Sequence, residues 1–264
     1  MTRSAALIGR VGVAPVNREP TLRSEQVTQL VLGETARLLE RRDDWCLARL
    51  DGDGYEGWIH GGYLVERDEG EGEEWWQRAE GWSDGAVVEL ERGQGRVRLP
   101  LRARVELRGS RVVLPDGRGG QVLAGRIAPR AATIRSTRES PPWQWATMMF
   151  AGTPYQWGGV TPWGVDCSGL VQTTFAARGI PLPRDASQQA ECGAQVGAEA
   201  VRPGDLLFFT EGSQRITHVA IAGKADTLVH STLACGGFVV EPWNPGTRAA
   251  PLRERLAAIR RISQ

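Results

Sequence analysis

Residues 166–179 read Asp166-Cys-Ser-Gly-Leu-Val-Gln-Thr-Thr-Phe-Ala-Ala-Arg-Gly179, and this stretch decides the fold of the second half of the chain. Asp166 is a good N-cap, helix-compatible residues follow without a break, and Gly179 with Pro181 and Pro183 beyond it supplies the stop. The pattern predicts a helix running to Arg178 with Cys167 in its first turn. Upstream, Ser140-Pro-Pro142 opens another helix through Ala151, and downstream 183–190 reads as a short third one. Three apolar segments then read as buried strands: Asp205-Leu-Leu-Phe-Phe209, His218-Val-Ala-Ile-Ala222 and Thr227-Leu-Val-His230. Helices first and sheet after make an α+β pattern.

The first half has a different texture. Between residues 17 and 66, short alternating segments such as Trp45-Cys-Leu-Ala-Arg-Leu50 and Gly57-Trp-Ile-His60 are separated by Gly/Asp turns such as Asp51-Gly-Asp-Gly54. Period-two alternation with closely spaced turns predicts a small all-β barrel. The acidic run Glu66-Arg-Asp-Glu-Gly-Glu-Gly-Glu-Glu74 reads as a solvated connector. A second strand-rich stretch, about 82–128, resembles a degenerate copy of the first barrel. The expected domains are a barrel over 1–70, a second barrel with linker over 71–135, and an α+β domain over 136–264. The first sixteen residues carry no usable pattern.

Composition narrows the function. With 32 basic and 31 acidic residues among 264, the net charge is +1, so no long-range field draws nucleic acid or an anionic membrane. No run approaches the ~18 apolar residues of a membrane span. The N-terminal apolar run, Ala5 to Ile8, is too short for a secretory signal. A cytoplasmic protein is therefore expected, with export as the alternative. Four cysteines lie far apart without a Cys-x-x-Cys pair, so neither a disulfide framework, a zinc site nor any other cofactor is expected.

Chemistry concentrates on three side chains. Cys167 in a first helical turn faces unpaired N–H groups and the positive end of the helix dipole, which is expected to lower its thiol pKa. Ser168 and Gly169 are small enough to let a substrate approach. His218 follows 51 residues later and His230 another 12 on, at opposite ends of two successive strands. A hairpin brings them together. Singly, a buried cysteine or a strand histidine is more often a packing residue. Jointly they supply a nucleophile, a base and an orienting group, the papain-like way of activating a thiol. His60, in a Gly-rich turn, stays a turn residue.

Tyr155-Gln-Trp-Gly-Gly159, Asp166-Cys-Ser-Gly-Leu170, Pro183-Arg-Asp-Ala-Ser-Gln-Gln189, Arg202-Pro-Gly-Asp-Leu-Leu-Phe-Phe209, Thr217-His-Val-Ala-Ile221 and Val229-His-Ser231 together resemble the ordered motifs of the NlpC-type bacterial cell-wall cysteine peptidases. Ser24-Glu25 and Gly54-Tyr-Glu-Gly-Trp58 are similar to the bacterial SH3-like modules that precede such domains. The architecture resembles the γ-D-glutamyl-L-diamino-acid endopeptidases of dipeptidyl-peptidase VI type. The resemblance implies a papain-like domain behind SH3-like barrels and hydrolysis of murein stem peptides with a free N-terminal L-Ala, in peptide recycling. It implies Cys167 as nucleophile, His218 as base, His230 as orienting group and Tyr155 as oxyanion support. It further implies that Asp166, Ser168 and Asp185 hold the dipeptide and that Glu25 and Tyr55 cap its ammonium. Alternatives are an exported hydrolase acting on the intact wall, or a non-catalytic module that binds wall fragments.

Overall fold

The computed structural model describes residues 5–212 and 215–263, so Met1–Ser4 of the stretch read for an export signal lie outside the described residues. The chain divides into two compact units, Met1–Thr133 and Ile134–Gln264.

The first unit opens with β1 (Ala5–Gly9), β2 (Val13–Asn17), β3 (Gln26–Val31), β4 (Thr35–Arg42), β5 (Trp45–Leu50), β6 (Glu56–His60) and β7 (Leu64–Asp68). They form one antiparallel sheet in the order β3-β2-β6-β5-β4-β1-β7. Alternate residues turn inward, and Leu7, Val16, Leu30, Cys46, Ala48 and Ile59 make its core. The N-terminal residues without a readable pattern are thus structural: β1 is held between β4 and β7 and β2 pairs with β3. Five-residue strands show too few alternations to stand out in sequence.

The acidic run also departs from expectation. It is not a solvated connector throughout, because Glu69–Arg78 form helix α1. Asp68 accepts from the Glu71 N–H at 2.8 Å and Glu71 reaches back to the Asp68 N–H, a reciprocal cap. Glu69 and Glu71 then lie at the positive end of the helix and Arg78 at the negative end. Trp75 buries its ring with Ile8, Val65 and Ala79 and donates its indole N–H to the Gly33 carbonyl at 2.9 Å.

Beyond α1, strands β8 (Gly81–Leu90), β9 (Arg96–Arg108), β10 (Arg111–Val113) and β11 (Gly119–Pro129) close a barrel in the order β10-β11-β8-β9. Register shifts bend the long strands β8, β9 and β11. At one bend Gly125 has φ +77° and a Cβ there would meet the Gly85 carbonyl oxygen at 2.0 Å, so only glycine fits.

The second unit begins along α2 (Arg130–Arg138), which crosses the boundary, and continues with α3 (Pro142–Phe150), the hairpin of β12 (Val160–Thr161) and β13 (Gly164–Val165), α4 (Cys167–Ala176) and α5 (Ala186–Gln189). Strands β14 (Ala194–Gln195), β15 (Leu206–Thr210), β16 (Ile216–Ala222), β17 (Thr227–Thr232), β18 (Gly237–Pro242) and β19 (Leu256–Arg261) form an antiparallel sheet in the order β14-β19-β15-β16-β17-β18. One face packs Leu207, Phe209, Ala220, Leu228 and Ile259 with Trp243. Alternate positions Leu206, Phe208, Val219 and Ile221 are equally buried, and α4 packs against β16 and β17. Such all-round burial explains why these strands read as unbroken apolar runs. Among the described residues no helix is long and apolar enough to cross a membrane.

Trp75→Ala removes a large buried ring and a buried hydrogen bond, and is expected to lower the stability of the first unit by about 3–5 kcal/mol. Asp68→Ala removes only the cap and costs about 1 kcal/mol. Urea unfolding measures both, and equal effects would contradict this account of α1.

Candidate active site

Asp166 caps α4 as the sequence predicts, its Oδ1 accepting from the Gly169 N–H at 2.7 Å. The carboxylate does more than cap. Oδ1 also accepts from the Ser168 hydroxyl at 3.3 Å, while Oδ2 takes the Gly158 N–H at 2.8 Å and the Arg184 guanidinium at 2.5 Å. Arg184 is 2% exposed and gives its other arm to the Ser168 hydroxyl at 2.7 Å. Gly169 presses on the Gly159 carbonyl, where a Cβ would stand 2.0 Å from the oxygen. The smallness of Gly169 thus serves the approach of the 156–159 loop, rather than the approach of substrate read from the sequence.

Cys167 sits in this frame, 8% exposed. The Val219 N–H of β16 and the Ser168 N–H both donate to its sulfur. The thiol therefore lies against the residue that follows His218. Burial, and next the Asp166 carboxylate, push the thiol up to about 12, against the downward pull of those N–H groups and Arg184. The lowered thiol pKa expected of a helix N-terminus is not what the structure gives. Desolvation of the charged form outweighs the helix end.

Strand register brings the histidines together. β16 pairs with β17 through Ile221–Val229 and Ala222–Leu228, and continuing that register makes His218 and His230 diagonal neighbours on one face. Their rings meet at 69°, with His218 Nε2 2.7 Å from His230 Nδ1. His218 also stacks beside Phe209, its partner on β15. Burial first, then His230 and Arg248, push His218 down to about 3. The Cys167 thiol and the His218 imidazole are each held in the neutral form by burial.

The diagonal continues to a residue that the sequence reading passed over. β17 pairs with β18 through His230–Val239 and Leu228–Glu241, so Glu241 is one diagonal step beyond His230 on the same face. His230 Nε2 lies 2.8 Å from Glu241 Oε1, and Arg248 holds both Glu241 oxygens, Nε reaching Oε2 at 2.9 Å. Burial raises the Glu241 pKa, but the bonds from His230 and Arg248 outweigh it and bring the group down to about 2. An acidic residue inside the apolar run Gly237-Phe-Val-Val-Glu-Pro242 was the available signal. It could be used only once that run was recognised as the strand beside His230.

The other expected residues divide. Tyr155 is half-buried and pairs with Val165 in a parallel bridge just before Asp166. Burial, then Cys167 and Asp166, raise its hydroxyl above the ordinary range, so it stays protonated and able to donate. Ser168 and Asp166 are committed to each other and to Arg184. Asp185 is half-buried, and its side chain makes no capping bond to α5. Glu25 and Tyr55 belong to the first unit, Glu25 paired with Arg18 at 2.7 Å and Tyr55 just before β6. Among the described residues no cluster of His, Cys, Asp or Glu could hold a metal ion.

Two stretches of the chain match known families. The NlpC/P60 family matches residues 152–248, and the bacterial dipeptidyl-peptidase SH3 domain matches residues 16–62. The chain is 43% identical over 84 residues to a gamma-D-glutamyl-L-lysine dipeptidyl-peptidase of Bacillus subtilis, a match covering 31% of this chain and 28% of that protein. It is 44% identical over 87 residues to the probable endopeptidase NlpC of Escherichia coli, covering 32% of this chain and 56% of that protein. These matches span little more than half, or less, of the relatives' own lengths. A crystal structure of an NlpC/P60 family protein from Bacillus cereus superposes with a TM-score of 0.76 at 21% identity, covering 97% of this chain and 99% of that one, a likeness of fold. The chain carries an NlpC/P60 domain of papain-like fold, preceded in sequence by a bacterial dipeptidyl-peptidase SH3 domain.

Proposed function

We propose that the second unit hydrolyses the bond between γ-D-Glu and the diamino acid, diaminopimelate or Lys, in murein stem peptides with a free N-terminal L-Ala, in peptide recycling. One observation carries the chemistry: a thiol at the first turn of α4 receives the N–H of Val219, directly beside a histidine whose far nitrogen is held by a second histidine. The substrate class is supported by the similarity to the gamma-D-glutamyl-L-lysine dipeptidyl-peptidase of Bacillus subtilis.

Cys167 is the nucleophile. With both groups neutral at rest, its proton passes to His218 as sulfur attacks the γ-carboxamide carbon. The S–C bond forms, and the carbonyl electrons move onto oxygen. The Tyr155 hydroxyl and the Cys167 N–H are the donors assigned to that oxyanion, each worth about 3 kcal/mol. The intermediate collapses, the C–N bond breaks, and His218 returns the proton to the leaving amine. Water then attacks the thioester while His218 takes its proton, releasing L-Ala-γ-D-Glu and restoring the thiol. His230 keeps the His218 ring in place through both steps.

Recognition of the ammonium falls to acidic groups. Asp185 is the carboxylate assigned to it within this unit; Asp166 and Ser168, committed internally, support the frame around it. Glu25 and Tyr55 enter the proposal by resemblance. No metal or cofactor takes part.

Incubation with L-Ala-γ-D-Glu-diaminopimelate and L-Ala-γ-D-Glu-Lys peptides, read by mass spectrometry, tests the reaction and the bond together. Cys167→Ala is expected to abolish turnover with an unchanged melting temperature, and retained turnover sinks the mechanism. Acetylating the substrate's N-terminal amine is expected to lower kcat/KM about tenfold or more, through an unpaired half-buried carboxylate. Equal cleavage of the acetylated peptide would remove the ammonium pocket.

The pH dependence has a definite sign. His218 accepts a proton only when deprotonated, and its pKa is lowered to about 3, so the competent form persists far below the ordinary 6.5. Initial rates are expected to show kcat/KM level from neutral pH down to about 5 and falling toward 3. A midpoint near 6.5 contradicts the buried neutral pair.

A further inference from the structure

Glu241 and Arg248 close a line of polar contacts that neither the peptide chemistry nor the resemblance assigns. The line runs from the Arg248 guanidinium to the Glu241 carboxylate, then to His230 and His218. We propose that Glu241, clamped by Arg248, is a positioning residue that fixes the tautomers of both histidines, so that His218 Nδ1 carries the lone pair available to the Cys167 thiol. This rests on the peptidase reading only for its consequence in turnover.

An ionised carboxylate is an acceptor only, so His230 Nε2 at 2.8 Å from Glu241 must carry the proton there. A singly protonated His230 then has a bare Nδ1, and the nitrogen 2.7 Å from it, His218 Nε2, must donate. That leaves Nδ1 as the accepting nitrogen of His218. Without Glu241, His230 is free to carry its proton on Nδ1. His218 Nε2 would then have to accept, and the His218 proton would sit on Nδ1, where it cannot take one from the thiol.

Arg248 meets both Glu241 oxygens and so fixes the carboxylate against His230. The groups facing His230 are His218 from β16 and Glu241 from β18, with Arg248 behind Glu241 and Cys235 near enough to act on Arg248. Arg248 is 45% exposed and Glu241 11%, so either can be changed from the open side of the sheet.

The chain has three histidines, so the imidazole nitrogens of protein labelled with 15N-histidine are resolvable by long-range proton–nitrogen correlation. Both His218 and His230 are expected to show the proton on Nε2 in the unaltered protein. Glu241→Gln is expected to lose the single tautomer at His230, slow iodoacetamide alkylation of Cys167, and lower kcat with little change in KM, the rate effects being about 10- to 100-fold. Should Glu241→Gln fail to fold, Arg248→Gln gives the second reading: with the carboxylate no longer clamped, His230 loses its single tautomer, with the same slowing of alkylation. A proton on His218 Nδ1 in the unaltered protein overturns the proposal. So do variants that fold and keep both the original tautomers and the alkylation rate. If the expected tautomers and alkylation effects are found but no peptide is cut, the positioning role stands and the peptidase reading fails.

Discussion

The Asp166 carboxylate is the contact on which the rest of the site depends. It starts α4 through Gly169, anchors the loop before it through Gly158, and fixes the segment after it through Arg184. Three stretches of chain separated in sequence are thereby held around one thiol. A buried Asp–Arg pair is a weak source of net stability, because desolvating both charges offsets most of their attraction. Breaking it is another matter, since either partner alone would be a buried uncompensated charge. What the pair supplies is placement. Ser168 and Cys167 cannot shift without disturbing Arg184.

That placement has an electrostatic consequence that works against the thiolate. A helix N-terminus contributes about 0.3–1 kcal/mol, less than one pKa unit. Burial shifts an ionisable group by as much as 3–5 units. The thiol is enclosed and has a carboxylate beside it, so burial wins and the resting thiol keeps its proton. The same enclosure strips His218 of its charge. A neutral pair needs a correctly oriented lone pair more than it needs a strong base. The importance of the second imidazole follows from this.

The parts of the site that were legible in the sequence are those set by local chemistry. The N-cap, the thiol behind it and the stop at Gly179 are read from neighbours along the chain. The two histidines were legible because a hairpin needs only two short apolar runs with a turn between them. Glu241 was not, since its relation to His230 depends on the pairing of β17 with β18, a register that no local pattern specifies. Arg184 was visible within a motif, but its bond to Asp166 spans 18 residues and cannot be inferred from either position. In the first unit the failure was of another kind. The acidic residues of α1 read as a solvated connector, whereas their order (acids at the start, Arg78 at the end) is the helix signal.

Register also explains why the polar line is straight. In an antiparallel sheet, side chains on one face that are offset by two residues on the neighbouring strand lie within reach of long or ring side chains. Two such diagonal steps, His218 to His230 and His230 to Glu241, cross β16, β17 and β18. Directly opposed residues would stack rings face to face and leave no nitrogen aimed at its neighbour. The diagonal instead lets each ring present one nitrogen forward and one back, as the two contacts of 2.7 and 2.8 Å require. Because the backbone pairing of three strands sets those offsets, no single side chain has to be immobilised separately. A slip of one residue in either pair would leave members of the set on opposite faces. The hydrogen-bonded ladder therefore fixes the aim of the imidazoles as firmly as the Asp166 frame fixes the thiol.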